Sequence, residues 1–261
     1  MKAIKYYITV LIAIVIWFFL SCEFDSGVKK SSSLLNISHL QHLSEEWVSG
    51  TDSIRFVHIY AEYPNYDWVE DSDEGMACVD DASRAAIFYL QNYEFTKNPS
   101  SLQYAEQLLN FILYMQAPNG LFFNFIFSDH TINKSHKNSI SRASWWSWRS
   151  IWALAEAYEK FKPIYPEYAQ SLAISIERTF PAIDSLLQSY PQIHMDNGLK
   201  LPTWLPYRMA ADQAAVMILA LVPYYRTTMN QNVREYIRKL TDGILTMQVG
   251  DSLNIPYGCF L

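Results

Sequence analysis

The sequence predicts an all-α chain of helical hairpins stacked side by side, and three observations carry that prediction. Apolar residues recur at helical spacing in six long segments, whereas alternating runs are short and few. The segments pair, with a short turn inside each pair and a long loop leading to the next. The pairs begin near residues 79, 144 and 210, at spacings of 65 and 66 residues. A fixed period of that size marks a repeat architecture in which no unit buries its apolar face alone. Composition agrees. Half of the 261 residues are hydrophobic and 15% are aromatic, which is ample material for a core. The formal charge of −6, with no clustered Lys/Arg stretch, argues against a nucleic-acid partner.

The chain opens on Lys2 and Lys5, followed by an uncharged, mostly apolar run over 6–20. That run is shorter than the ~20 residues a membrane span needs. It ends Phe19-Leu20-Ser21-Cys22, which resembles a bacterial lipoprotein cleavage box with Phe19 where Leu is commoner. Residues 1–21 are therefore read as a lipoprotein signal peptide, 22–33 as a polar tether, and 34–261 as the folded domain. The implied chemistry is diacylation of the Cys22 thiol, and the implied location is the bacterial cell envelope, at the outer membrane or cell surface. An uncleaved anchor helix is the alternative. Cys78 and Cys259, far apart and without metal-ligand spacing, read as small core residues.

Residues 31–48 read as a first helix, with Leu34, Leu35, Ile37, Leu40, Leu43 and Trp47 near helical spacing and Gly50-Thr51-Asp52 as its stop. The β-branched and aromatic run over 54–60 reads as a short strand. A loop over 61–75 follows. Helices are then expected over 79–93, 100–116, 144–161, 166–189, 210–226 and 232–249. The segment N-G-L-F-F-N-F after Pro118 reads as strand-like, 129–141 as a polar loop, and 191–206 as another long loop. The first helix of each pair is rich in small residues and apolar nearly all round, as an inner helix would be. The second carries charges such as Glu106, Glu177, Arg234 and Lys239 on what would be an outer face. An inner row, an outer row and long loops gathered at one end describe an α/α toroid.

The segments E-G-M-A-C-V-D-D-A-S-R-A-A, N-G-L-F-F-N-F, W-W-S-W-R-S-I-W-A-L-A-E-A-Y and A-A-D-Q-A-A-V resemble the six-hairpin glycosidase superfamily, over residues 55–261. The resemblance implies a carbohydrate partner and metal-free acid–base chemistry on Asp/Glu, without a cofactor. Six hairpins at this period would occupy roughly 390 residues, and this sequence supplies three. The expectation is thus an incomplete toroid, whose open face a partner chain or a missing C-terminal half would cover.

Long loops precede the inner helices, so the N-terminal ends of those helices face one way and favour negative charge. Asp80 and Asp81 stand at the first mouth, Trp145, Trp146 and Arg149 at the second, and Tyr207, Arg208 and Asp212 at the third. Asn124 belongs on the rim, and Trp204 and Glu74 lie in the loops. An inverting glycosidase needs an acid and a base about 6.5–9.5 Å apart. Asp80 or Asp81 is the candidate base, with Asp212 or Glu74 opposite; Glu74, Asn124, Trp145, Trp146, Arg149, Trp204, Tyr207 and Arg208 are the candidate sugar contacts. Structural readings compete with each of these. Asp80 suits an N-cap and an i,i+4 pair with Arg84. At least two of Trp145, Trp146, Trp148 and Trp152 must be core. Arg149 needs a carboxylate such as Asp81 or Asp212, and Asp212 suits a dipole complement. The acidic loop over 70–75 lacks the spacing of a calcium loop. No zinc spacing, phosphate loop or G-x-S-x-G elbow is present. A catalytically silent glycan-binding protein, or an inactive fragment, is the alternative to an enzyme.

Overall fold

Small residues decide how closely the helices of this protein approach, and the architecture follows from them. The structure is a computed structural model that describes residues 35–248, and from His39 onward these belong to one compact unit. The Cys22 lipidation site, the 1–33 leader and tether, and Cys259 lie outside the described residues. After a short helix α1 (Ser38–His42) come two hairpins, β1 (Ser44–Ser49) with β2 (Asp52–Val57) and β3 (Tyr60–Glu62) with β4 (Asp67–Val69). Strand β5 (Ala77–Cys78) runs straight into α2 (Val79–Thr96), and α3 (Pro99–Tyr114) follows. Strand β6 (Phe125–Ile126) pairs with β5, and then come α4 (Trp145–Phe161), α5 (Pro166–Glu177) and α6 (Phe180–Leu187). The β7 (Ile193–Asp196) and β8 (Leu199–Pro202) hairpin leads to α7 (Ala211–Thr228) and α8 (Gln231–Thr246).

Helices α2, α4 and α7 pack side by side as an inner row, and α3, α5 and α8 each back onto their own inner partner. Buried Ala82, Ala85 and Ala86 on α2, Ser147, Ser150, Ala153 and Ala157 on α4, and Ala214 and Ala220 on α7 let the inner row close up. Larger residues fill the layer between the rows: Leu90, Leu108, Phe111, Leu154, Phe161, Leu172, Leu221 and Leu240. This is the predicted α/α arrangement of three hairpins, with short antiparallel strand pairs in the connections. Caps set the short turns. The Asn98 side chain accepts from the Ser100 N–H with Pro99 at the first helical position, and the Asn230 side chain accepts from Asn232 and Val233. None of the described helices is long and apolar enough to cross a membrane.

Two expectations are corrected. Among the described residues, the helix expected over 31–48 is α1 for five residues, and Trp47 lies in β1. Leu40, Leu43 and Trp47 fit the helical period, but Gly50, at φ +64°, starts a two-residue hairpin loop that sets Trp47 opposite Ile54. Sheet pairing with an apolar face on α3 wins over one turn of helix. The helix expected over 166–189 is divided at Arg178-Thr179. Pro181 has no N–H for the Glu177 carbonyl and its ring would meet it, so the helix restarts. The divided turn is locked from the α3–β6 loop: Arg178 donates to the Gln116 side chain at 3.0 Å and to the Ala117 carbonyl at 3.1 Å.

Gly120 seals that lock. It has φ +84°, and a Cβ there would stand 1.8 Å from the Arg178 carbonyl oxygen. Gly120→Ala is expected to cost about 2 kcal/mol or more, through overpacking and backbone strain together. A urea unfolding midpoint equal to that of the unaltered protein would show instead that the turn yields freely.

Hydroxyl-to-carboxylate bonds tie neighbouring hairpins. Tyr224 donates to Glu177 at 2.7 Å, and Tyr236 to Asp184 at 2.7 Å. Burial, then the bond to Glu177, pushes the Tyr224 phenol far above its ordinary range. The folded state therefore keeps this proton while the unfolded chain loses it above about pH 10, and stability falls as pH rises beyond that point. Tyr224→Phe should be less stable at neutral pH but show a shallower alkaline decline, read as unfolding free energy between pH 9 and 11 or so. An unchanged slope would mean that Tyr224 is not the group responsible.

Candidate functional site

The N-terminal ends of the inner helices carry the site, and strand β5 sets the first of them. The β5–β6 pairing continues into α2: the Val79 N–H donates to the Asn124 carbonyl at 2.7 Å, and the Asp80 N–H donates to the Asn124 side chain at 3.3 Å. The cap of α2 is Cys78, whose Sγ accepts from the Asp81 N–H at 3.3 Å. Burial pushes its thiol well up, so it stays protonated in the core. Asp80 is thus one residue inside the helix, which corrects its reading as the cap and leaves its carboxylate free for other partners.

Those partners are arginines. Asp80 Oδ2 accepts from Arg149 Nη1 of α4 at 2.5 Å and from Arg84 Nη2 at 3.4 Å, while Arg84 also binds Asp81. Asp80, rather than Asp81 or Asp212, is the carboxylate that balances Arg149. The Arg149 guanidinium lies 4.8 Å from the centre of the Trp145 ring. Asp80 Oδ1 is buried and has no hydrogen-bond partner among the described residues. Such an oxygen is costly to leave unfilled unless a ligand or water reaches it.

The third mouth joins through Tyr207, whose hydroxyl is 3.2 Å from the Ser144 hydroxyl that precedes Trp145. Tyr207 and Arg208 both hold positive φ, 52° and 63°, and both are exposed. Asp212 is exposed in the first turn of α7 and accepts from the Gln213 N–H at 2.8 Å. It has no ion pair among the described residues. Beneath it, Trp148 donates from Nε1 to the Gln213 side chain at 3.1 Å, tying α4 to α7.

The structure therefore joins Asp80, Asp81, Asn124, Trp145, Arg149 and Tyr207 through one chain of contacts, with Asp212 and Arg208 at the adjoining mouth. Three candidates fall elsewhere. Trp146 is buried and donates to the Phe122 carbonyl at 2.8 Å. Trp204, only 2% exposed, donates to the Lys239 carbonyl at 2.8 Å and packs on Gly243. Both are core residues rather than sugar contacts, because their indole N–H groups are spent on the backbone. Glu74 accepts from the Tyr60 hydroxyl at 2.9 Å and belongs to the acidic loop. That loop is an Asp71-centred turn: Asp71 Oδ1 accepts from the Asp73 and Glu74 N–H groups, which hold its carboxyl below the usual range. Asn124 is buried and works as a clamp, with its Nδ2 bonded to the Asn138 carbonyl at 3.1 Å. Arg84 was visible in sequence only as a helical partner of Asp80; its grip on Asp81 at the same time is new.

No protein-family model and no curated protein sequence matches the chain. Solved structures do match. An α-mannanase of glycoside hydrolase family 76 from Bacteroides thetaiotaomicron is similar at a TM-score of 0.54 and 14% identity, over 84% of this chain and 55% of that one. The likeness is one of fold, an α/α arrangement of helical hairpins. A cellobiose 2-epimerase from Spirochaeta thermophila aligns at a TM-score of 0.47 and 17% identity, over 70% of this chain and 50% of the other. A family 88 glycosyl hydrolase from Bacteroides vulgatus aligns at 0.43 and 15%, over 66% and 49%. The chain spans about half the length of the solved structures that it matches.

The Asp80–Arg149 pair is the contact on which the toroid-end site rests. Its side chains are 18% and 24% exposed, so breaking it should cost about 2 kcal/mol, below the 3–5 of a fully buried pair. Arg149→Ala and Asp80→Asn should each destabilise, and the double variant should fall short of their sum by about 1 kcal/mol. Strict additivity in urea unfolding would show the two groups to be uncoupled.

Proposed function

We propose that the protein binds oligosaccharide at the cup formed by Asp80, Asp81, Arg84, Trp145, Arg149 and Tyr207, as a lipid-anchored protein of the bacterial cell envelope. The observation that carries this reading is the buried, unfilled Oδ1 of Asp80, held by arginines beside an accessible aromatic ring. A carboxylate fixed in this way is a hydroxyl acceptor, and the Trp145 ring offers an apolar face to a pyranose. The likeness to the family 76 α-mannanase supports the fold of the cup; the ligand is inferred from the cup's own chemistry. The anchor reading rests on the Phe19-Leu20-Ser21-Cys22 sequence alone.

A second reading, hydrolysis, is favoured by one observation. Asp80 and Asp81 are engaged by guanidinium groups, whereas Asp212 is exposed and unpaired among the described residues. Two carboxyl groups in different surroundings are what a separate base and acid require. Under this reading Asp80 or Asp81 accepts the proton of the attacking water and Asp212 protonates the leaving oxygen.

Calorimetric titration with a panel of α- and β-linked oligosaccharides, beside a reducing-end assay, tests both. Asp80→Asn should weaken binding at least tenfold, about 1.4 kcal/mol, while Asp212→Asn should leave binding within a factor of two or so. Turnover that vanishes in Asp212→Asn with binding intact makes the protein an enzyme. Failure of the unaltered protein to bind any member of the panel sinks the proposal.

A further inference from the structure

A second cavity, of about 300 Å³, lies between the β1–β2 and β3–β4 hairpins and shares none of its lining residues with the cup. Its polar lining is Glu45, His58, Glu70, Ser128 and His130, and Trp68 supplies an aromatic wall. Local structure explains why these residues meet. His58 leaves β2 with its N–H bonded to the Leu43 carbonyl, and it bridges to Ala77 of β5. Its ring is stacked on Trp68 at 4.1 Å and 12°, and Trp68 Nε1 is itself fixed on the His42 carbonyl at 2.9 Å. Glu70 Oε1 accepts from the Ser128 N–H at 2.9 Å. His130 is held from the other side by stacking on Trp47 at 4.3 Å.

The hydrogen-bond inventory of the cavity leans towards acceptors. His58 is 5% exposed, and its Nε2 is 2.8 Å from Glu45 Oε2. A carboxylate only accepts, so Nε2 carries the proton, and in the neutral ring Nδ1 is an acceptor. That Nδ1 is buried and has no partner among the described residues. The second oxygens of Glu45 and Glu70 are likewise unused among them. The lining thus offers three acceptors, two of them carboxylate oxygens, beside the Ser128 hydroxyl, the His130 ring and one aromatic wall, and neither lysine nor arginine. A volume near the lower end for small-molecule pockets suits one sugar-sized ring.

We propose that this cavity is a binding site for a donor-rich, positively charged ligand of pyranose size, an amino sugar in preference to a neutral or acidic one. The ammonium would lie between the two carboxylates, a hydroxyl would donate to His58 Nδ1, and the ring would rest against the aromatic wall. Neutral sugars can satisfy the acceptors but gain nothing from the charge, and a uronate is repelled by it. The inference stands apart from the cup reading, because it uses no residue of the cup.

The experiment is a titration of the protein with glucosamine, glucose and glucuronate, followed by NMR of the histidine and tryptophan side chains and by calorimetry. Glucosamine should shift the His58 and Trp68 signals and bind about tenfold or more tighter than glucose, and glucuronate should not bind. Glu70→Gln and Glu45→Gln should each remove most of that preference; Glu70→Gln is the variant less coupled to folding, since Glu45 also holds His58. Asp80→Asn should leave glucosamine binding unchanged. Equal affinity for glucose and glucosamine, no shift at His58 with tens of millimolar glucosamine, or loss of binding in Asp80→Asn alone would each overturn the proposal.

Discussion

Close approach of α2, α4 and α7 is the constraint on which the rest of this structure depends. Alanine and serine at the helix contacts bring three backbones together, and no bulky side chain could stand there without prising them apart. Small residues have an energetic consequence, since they bury little apolar area for each turn of helix. The large residues must therefore be found in the second layer, and that is where Phe111, Phe161, Leu108 and Leu221 lie. The inner row is held together by what the outer row covers. This is the usual logic of a repeat protein, in which stability resides in the interfaces between units.

The inner row also dictates where polar groups can sit. Along α4, Ser150 donates back to the Trp146 carbonyl within its own helix, while Ser147 donates to the Arg142 carbonyl just before the helix and accepts from the Phe122 N–H. Larger polar side chains must reach across an interface to find partners. Gln107 meets Arg55, Glu46 and Ser53 of the β1–β2 hairpin, Gln116 meets Ser175 and Arg178, and Tyr224 meets Glu177. Each of these joins segments about fifty to sixty residues apart. Buried apolar contacts hold hairpin to hairpin without fixing their relative slide, and these directional bonds supply the register.

The sequence made the helices legible because three-hairpin periodicity is repeated, and each repeat confirms the last. The first forty-odd residues of the domain had no such support. There, Leu40, Leu43 and Trp47 satisfied a helical template that Gly50 and the partner strand overruled. Tertiary pairing, which one sequence window cannot contain, decided it. The site was legible in part for a related reason. That acids gather at helix mouths follows from position, but which acid meets Arg149 depends on the rotation of α2 about its own axis. The rotation was set by β5–β6 pairing and the Cys78 cap, neither of which has a strong sequence signal. The tryptophans divided on the same ground: Trp145 and Trp146 are adjacent in sequence, yet a helix turns them 100° or so apart. Each ring has a guanidinium over it, but Trp146 is buried with its N–H on a backbone carbonyl. His58 and Glu45 left no trace in the sequence, since a hairpin register alone brings them together.

The pairing of Asp80 with two arginines bears on what kind of recognition the cup can perform. Arg84 and Arg149 lie in the second turns of α2 and α4, and each is held by a carboxylate from the first turn of α2. One nitrogen of each is directed at those carboxylates, and the buried atom left there without a partner among the described residues is an acceptor, Asp80 Oδ1. Under the proposed reading, a buried atom that only accepts is matched to the hydroxyl groups of a ligand. Net acidity of the chain points the same way. On that reading the cup would select by hydrogen-bond polarity as well as by shape.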